Sequence, residues 1–233
     1  MLNDNHFLMS FFLKQIRLYA PLLLASCFSV TLLMLRLYYT QSSIYLFLLW
    51  NLFLAFVPLY ISFFLHLMKK NFAQNLYLKI IFLPLWLLFF PNSLYLVTDF
   101  LHLTPKNPIP LWFDLLLLLS FSWAGLLAAF ISLKTIQDLM ELAYEKSWAW
   151  LWTAFVLLAS SFGVYLGRFL RWNSWDIFFN PMGVLADVAP RVFLPWRHPS
   201  TFAVTFLYAS FFLIAYLAFY LKADLALSTK SRD

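Results

Sequence analysis

The stretch from Leu111 to Leu133 reads LWFDLLLLLSFSWAGLLAAFISL and carries one charged residue, Asp114. A helix that crosses a bilayer needs about 20 mostly apolar residues, because each residue adds about 1.5 Å across a core about 30 Å thick. The stretch has none of the alternation that is typical of a membrane β-strand. It therefore predicts a transmembrane α-helix, in which the backbone satisfies its own hydrogen bonds.

Five further runs meet the same requirement of length and apolarity. The six predicted spans lie at about residues 18–37, 44–67, 76–96, 111–133, 148–170 and 202–221. We expect an all-α fold, a polytopic bundle of six transmembrane helices in which residues 1–233 form a single integral membrane domain. Residues 172–201, between the fifth and sixth spans, are rich in proline and aromatic residues. They predict a long extracytoplasmic loop that lies in the interface or dips back into the bundle.

The composition excludes a soluble domain. Hydrophobic residues make up 64% of the chain and charged residues only 11%. The net charge of +6 is typical of cytoplasmic loops and of contact with anionic lipid. We therefore expect membrane lipids as partners, and no nucleic acid; protein partners stay open. The single cysteine, Cys27, excludes an intramolecular disulfide and a cysteine metal cage.

The distribution of Lys and Arg indicates the orientation, because cytoplasmic loops carry the excess of positive charge. If the N-terminus is cytoplasmic, ten basic residues lie on that side: Lys14, Arg17, Lys69, Lys70, Lys79, Lys134, Lys146, Lys222, Lys230 and Arg232. The opposite side then holds six: Arg36, Lys106, Arg168, Arg171, Arg191 and Arg197. We expect both termini in the cytoplasm.

Polar residues collect at the outer end of the third span, in FPNSLYLVTDFLHL (residues 90–103). Asn92, Tyr95, Asp99 and His102 are three, four and three residues apart, so a continuous helix would place them on one face. Two prolines in this span predict a kink that opens the outer half of the bundle.

The fifth span ends in GVYLGRFLRWNSWD (residues 163–176). Ala159, Gly163 and Gly167 recur every four residues, and this small-residue stripe predicts close packing of another helix. We expect Arg171 to continue the stripe by one turn. Arg168 shares enough of that face for the two guanidinium groups to converge.

The predicted topology brings eight polar residues to the outward side. They are Asn92, Asp99, His102, Asp114, Arg168, Arg171, Asn173 and Asp176. Ionisable groups at a membrane boundary are costly unless they are paired or hydrated, which makes these residues functional candidates. For Asp114 the alternative is a favourable interaction with the helix dipole. For the whole set the alternative is a network of salt bridges that locks the helix ends.

A metal site is not expected. Asp99 and His102 have a spacing that suits two ligands on one helix face, and Asp176 and His198 could add to them. No HExxH or comparable pattern occurs, so we assign no metal ligand and no cofactor, and only a labile divalent ion stays open.

Three motifs carry a resemblance to a known family. FPNSLYLVTDFLHL, WFDLL (residues 112–116) and GVYLGRFLRWNSWD occur in the order found in the bacterial membrane-protein family catalogued as domain of unknown function 1361, which the chain resembles over nearly all six spans. The resemblance implies a multi-pass protein of the bacterial plasma membrane. It implies no activity and no role for any residue.

The leading functional hypothesis is binding or processing of an anionic lipid or lipid-linked substrate at the outer leaflet. Arg168 and Arg171 would hold a phosphate or carboxylate, together with Asn92, Asp114, Asn173 and Asp176 as further substrate-binding candidates. Asp99 would orient His102 as a catalytic acid or base. The alternatives are a transporter or channel, and a structural or assembly subunit. Whether the protein is an enzyme stays open.

Overall fold

The computed structural model describes residues 2–105 and 109–229. The described residues form helices and loops without a strand. The α-helices are α1 (Leu2–Thr40), α2 (Phe47–Leu67), α3 (Lys69–Gln74), α4 (Leu76–Tyr95), α5 (Leu111–Ala143), α6 (Lys146–Phe169), α7 (Asp176–Phe179), α8 (Pro181–Phe193) and α9 (Pro199–Thr229). Two short 3-10 helices, Leu96–His102 and Pro195–Arg197, follow α4 and α8.

Six of these segments are long and apolar enough to cross a membrane. They are Tyr19–Thr40, Phe47–Leu67, Leu76–His102, Leu111–Ala143, Lys146–Phe169 and Pro199–Tyr220. The all-α fold with six spans is thereby confirmed, and the helices indicate a multi-pass membrane protein. Among these six spans, the largest difference from the predicted bounds is in Leu111–Ala143, which continues ten residues beyond Leu133. Lys134 and Asp138 form an ion pair one turn apart in this extension, which favours the helix.

The centre of the bundle is α5, the most buried of the six spans. It packs against α1, α2, α4, α6 and α9, and its small and apolar residues fill the core. Trp86 of α4 is fully buried, and its indole Nε1 donates to Ser132 Oγ of α5 at 2.8 Å. Ser132 Oγ in turn donates to the carbonyl of Pro58 in α2 at 3.0 Å. Three helices are therefore joined by one pair of hydrogen bonds within the apolar interior.

Prolines within α2 and α4 leave backbone carbonyls that need partners in the apolar interior. Ser93 Oγ donates to the carbonyl of Ala55, three residues before Pro58, at 2.7 Å. Ser174 Oγ donates to the carbonyl of Leu88, three residues before Pro91, at 2.9 Å. In each case the serine bonds to the carbonyl next to the one that the proline leaves without its helical donor, which lies four residues before the proline. These bonds join α2 to α4, and α4 to the segment after α6, close to the prolines.

The connection between α6 and α9 folds into the helices α7 and α8 and the second 3-10 helix. Asp187 and Arg191 of α8 form an ion pair one turn apart, and Asp187 also accepts a hydrogen bond from the indole Nε1 of Trp172 at 2.8 Å. The large apolar side chains of this connection are exposed, among them Phe178, Phe179, Met182, Phe193 and Trp196. An amphipathic segment of this kind suits the boundary between lipid and water.

Candidate functional site

Arg168, in the last turn of α6, joins α6 to the 3-10 helix Leu96–His102. Its Nε donates to Thr98 Oγ1 at 2.8 Å, one terminal nitrogen pairs with Asp99, and the other lies 2.8 Å from His102 Nε2. The Tyr95 ring lies against the guanidinium, with 4.2 Å from Arg168 Cζ to the ring centroid. Arg168 and Asp99 are only 8% and 1% exposed. This buried ion pair is the centre of what we call the Arg168 network, formed by these five residues.

The change from α-helix to 3-10 helix after Tyr95 explains how one arginine reaches both Asp99 and His102. In a 3-10 helix residues three apart are eclipsed, so these two side chains share a face. The second oxygen of Asp99 accepts a hydrogen bond from Asn51 Nδ2 of α2 at 3.1 Å. A guanidinium can only donate, so His102 Nε2 accepts from Arg168 and the imidazole proton lies on Nδ1. The network therefore ties α2, α4 and α6 together.

A second buried ion pair lies beside the first and involves a residue that the sequence analysis missed as part of the site. Arg36 of α1 donates to Asp114 of α5 through Nε at 2.7 Å and through a terminal nitrogen at 3.1 Å. The Tyr45 ring lies 4.4 Å from Arg36 Cζ, and the Tyr45 hydroxyl donates to the carbonyl of His102 at 3.2 Å. Burial and the nearby Asp114 carboxylate raise the pKa of Tyr45 to about 12.

A cavity of about 300 Å³ lies next to the Arg168 network, between α2, α4, α6 and the segment that follows α6. Its polar lining is formed by Asn51, Asn92, Asn173 and Ser174. Its aromatic lining is formed by Trp50, Tyr95, Phe162 and Trp172. Tyr95 belongs to both the cavity wall and the Arg168 network, and Asn51 of the wall donates to Asp99 of the network, so the network holds one side of the cavity in place.

A comparison with known protein families identifies the part of the chain that carries these features. A family described as protein of unknown function (DUF1361) matches residues 50–215. The chain belongs to this family. The match confirms the resemblance found in the sequence motifs. No curated protein and no solved structure matches the chain.

In this DUF1361 protein the matched residues contain the whole cavity lining and the Arg168 network. They also contain Asp114, whereas its partner Arg36 lies before them. The second ion pair is therefore completed by a helix outside the matched region. Asp114 itself is buried in that pair and does not line the cavity, so the structure separates it from the polar residues around Asn92.

The small-residue stripe of α6 packs against α4, as its spacing predicted. A Cβ atom at Gly163 would lie 2.8 Å from Pro91 Cγ, and one at Gly167 would lie 3.2 Å from the ring of Tyr95. Both are closer than a normal carbon contact. The stripe therefore brings α6 close enough to α4 for Arg168 to reach the 3-10 helix.

The prediction that Arg171 continues this stripe is wrong. Helix α6 ends at Phe169, and Arg171 has a left-handed backbone with φ of 62°, while the N–H of Trp172 bonds to the carbonyl of Leu166 at 3.2 Å. This reversal ends the helix before the predicted turn is complete. Arg171 is exposed and forms no ion pair with any described residue, so its guanidinium does not converge with that of Arg168.

The remaining candidates lie in the segment that covers the cavity. Asn92 Nδ2 donates to Ser174 Oγ at 2.9 Å and to the carbonyl of Phe89 at 3.0 Å. The Asp176 carboxylate accepts hydrogen bonds from both the backbone N–H of Asn173, at 2.6 Å, and its side chain, at 3.2 Å. Asn92 and Asn173 thus line the cavity, whereas Asp176 shapes the turn that carries Asn173.

The described residues contain no group of three or more His, Cys, Asp or Glu side chains that could hold a metal ion. The cavity lining offers hydrogen bonding by amides and hydroxyls, and packing against aromatic rings. Sequence reasoning missed Ser174 and Trp50 as lining residues, because neither their type nor their spacing marks them. Asn51 had a signal, since it is a strongly polar residue within an apolar span.

Proposed function

We propose that this protein binds an anionic lipid or lipid-linked molecule and that the cavity beside the Arg168 network receives part of its headgroup. The observation that carries the proposal is a cavity of about 300 Å³, lined by three asparagines and a serine among apolar residues, at the end of an otherwise apolar bundle. This volume is at the lower end of the range for ligand pockets, so it suits a headgroup and leaves the acyl chains in the bilayer.

The phosphate of the ligand contacts Arg171 in this proposal. Arg171 is exposed, precedes the cavity residue Trp172, and has no carboxylate partner among the described side chains. Arginine binds phosphate through two parallel hydrogen bonds. Arg168 has a different role, because its guanidinium already donates to Thr98, Asp99 and His102. It positions the cavity wall through Asp99 and Tyr95.

The same contacts support binding over catalysis. Asp99 is 1% exposed, and its two oxygens accept from Arg168 and Asn51. His102 Nε2 accepts from Arg168, so the imidazole would have to leave this hydrogen bond before Nε2 could take a proton from a substrate. We therefore assign His102 and Asp99 to the support of the site.

We further propose that the protein lies in the bacterial plasma membrane with both termini in the cytoplasm, which places the cavity at the outer leaflet. The excess of Lys and Arg on the side of the termini supports this orientation. The exposed aromatic side chains of α7 and α8 then lie at the depth of the lipid headgroups, beside the cavity.

Native mass spectrometry of the detergent-purified protein tests this function. Ala159 lines the cavity and Ala154 of the same helix is exposed outside it. The substitution Ala159→Leu fills cavity volume, and Ala154→Leu adds the same group elsewhere. We expect wild type and Ala154→Leu to retain bound lipid through delipidation, and Ala159→Leu to retain at least tenfold less. Equal retention by all three proteins would exclude the cavity as a lipid site.

A structural or assembly subunit is the second candidate function. The observation that favours it is the presence of two buried ion pairs, Arg36–Asp114 and Arg168–Asp99, each formed between helices far apart in sequence. Pairs of this kind fix the arrangement of helix ends. Under this function the two pairs are a scaffold and the cavity is incidental, so Ala159→Leu would change neither lipid retention nor phenotype.

A further inference from the structure

The hydrogen bonds of the cavity asparagines restrict the chemistry of the headgroup. Asn51 Nδ2 donates to Asp99, Asn92 Nδ2 donates to Ser174 and Phe89, and Asn173 Nδ2 donates to Asp176. In the described part of the chain, none of the three Oδ1 atoms accepts a side-chain hydrogen bond from cavity residues. Asn92 uses both of its N–H donors in this way, whereas Asn51 and Asn173 use one each and keep one. These amides therefore offer a ligand their carbonyl oxygens together with two N–H groups.

A wall that presents both amide oxygens and N–H groups suits a group that donates as well as accepts, whereas a fully ionised phosphate or carboxylate only accepts hydrogen bonds. The cavity lining also contains no charged residue among those described. Arg168, the buried cation of the adjoining network, is paired with Asp99. An anion in the cavity would therefore lose its hydration without a compensating charge.

An ammonium group would also be costly to bury in this cavity. It can donate to the Asn oxygens and lie against aromatic rings, but a buried cation needs a counter-charge that the lining does not supply. An uncharged hydroxyl group meets no such cost. It donates to an amide oxygen, and it can accept from the second N–H of Asn51 or Asn173.

We infer that the cavity binds an uncharged, hydroxyl-bearing lipid headgroup, such as the sugar of a glycolipid or the terminal glycerol of a phosphatidylglycerol. This inference rests on the proposed function and names the part of the ligand that enters the cavity. Trp50, Tyr95 and Trp172 supply flat apolar surfaces for the C–H faces of such a group, and Asn51, Asn92 and Asn173 accept its hydroxyl hydrogens. A phosphate, where the lipid has one, stays outside on Arg171.

Binding of defined lipids in phosphatidylcholine nanodiscs tests the inference, with Trp fluorescence as the readout. The probes are glucosyl diacylglycerol, its fully O-methylated form, phosphatidylglycerol, phosphatidylethanolamine and phosphatidic acid. We expect glucosyl diacylglycerol or phosphatidylglycerol to bind wild type and Ala154→Leu at least tenfold more tightly than Ala159→Leu. We expect O-methylation to remove at least tenfold of the affinity for the sugar lipid, because it removes the donors.

The two hydroxyl sources differ in their dependence on Arg171. Arg171→Ala should weaken binding of phosphatidylglycerol and leave binding of glucosyl diacylglycerol unchanged, since only the former has a phosphate. The hydroxyl-bearing lipid whose affinity falls more from wild type to Ala159→Leu is the better source of the headgroup.

Each contrary outcome has one meaning. Tighter or equal cavity-dependent binding of phosphatidic acid or phosphatidylethanolamine, or equal binding of the O-methylated lipid, would overturn the inference and leave the proposed function standing. If none of the lipids binds Ala159→Leu more weakly than Ala154→Leu, both the inference and the proposed function are overturned. This reading requires that both variants elute from size exclusion as folded protein.

Discussion

Arg36 Nε lies 2.7 Å from Asp114 Oδ1, and the two side chains are 2% and 1% exposed although they are 78 positions apart in the chain. A buried ion pair matters for stability mainly because removal of one partner leaves the other charge buried without compensation. This pair joins the end of α1 to the first turn of α5 and lies beside Tyr45.

The first prediction concerns single and double replacement of this pair. Arg36→Met and Asp114→Leu should each lower stability by about 3–5 kcal/mol, because each leaves one buried charge without its partner. The double variant should be much closer to wild type than either single variant. Melting in detergent, followed by fluorescence-detected size exclusion, measures the effect. Additive losses in the double variant would show that the two side chains act independently.

The second prediction separates the ion pair of the Arg168 network from its histidine. Arg168→Ala should lower stability by about 3–5 kcal/mol, since Asp99 loses its buried counter-charge. His102→Ala should cost less than about 1 kcal/mol, because the imidazole is exposed. Arg168→Lys should lower stability by an intermediate amount, since lysine keeps the charge but lacks the planar guanidinium that contacts Thr98, Asp99 and His102 together. Equal losses in Arg168→Ala and His102→Ala would mean that the imidazole carries the network.

The third prediction ranks three glycines by what an added methyl group would meet. A Cβ at Gly125 would lie 2.6 Å from the backbone oxygen of Ser93, one at Gly163 would lie 2.8 Å from Pro91 Cγ, and one at Gly167 would lie 3.2 Å from the Tyr95 ring. Replacement by Ala in an unconstrained helix stabilises by about 0.5–1 kcal/mol. We expect Gly125→Ala and Gly163→Ala to destabilise by about 1–3 kcal/mol, with Gly125 the worse of the two, and Gly167→Ala to be nearly neutral.

The fourth prediction concerns the orientation. In a Cys27→Ser background, Ser43→Cys places an exposed thiol at the cavity end of the bundle, and Ser147→Cys places one at the opposite end. A membrane-impermeant maleimide added to intact cells should label the first and not the second. Labelling of both after lysis is the control, and labelling of only the second in intact cells would reverse the proposed topology.

The fifth prediction concerns Tyr45. Its pKa is raised to about 12, so the folded protein holds the hydroxyl proton more tightly than the unfolded chain, whose tyrosines titrate near 10. The stability from this difference is complete below about pH 10 and is lost as the pH rises from about 10 to 12. Tyr45→Phe should cost about 1 kcal/mol at neutral pH and should lose stability less steeply over that range. Parallel slopes for the two proteins, measured by melting temperature against pH, would contradict the assignment.

Much of the fold could be predicted because length and apolarity are enough to define a membrane span. The six spans and the close approach at the small-residue stripe follow from local sequence, since each depends on the spacing of residue types along one helix. The failure at Arg171 has an equally local cause. A left-handed residue ends α6 before the extrapolated turn, and the stripe alone does not indicate where a helix stops.

The candidate site was predicted only as a region. The sequence placed Asp99, His102 and Arg168 at one end of the bundle, and the structure brings them into contact. In the structure Asp114 pairs with Arg36. Nothing in the sequence indicated that Arg36 would be this partner. Several arginines and aspartates had compatible positions, and the selection depends on helix packing angles that no single segment encodes.

The sequence by itself thus determined a six-span helical membrane protein of the DUF1361 family with a set of candidate polar residues at one end of its spans. This follows because transfer into lipid depends on composition over about 20 consecutive residues. Only the tertiary structure decided that two arginines are sealed in ion pairs, that Arg171 stays exposed, and that three asparagines present acceptors to a cavity. Those properties depend on distances between atoms of different helices, which packing sets and sequence spacing does not.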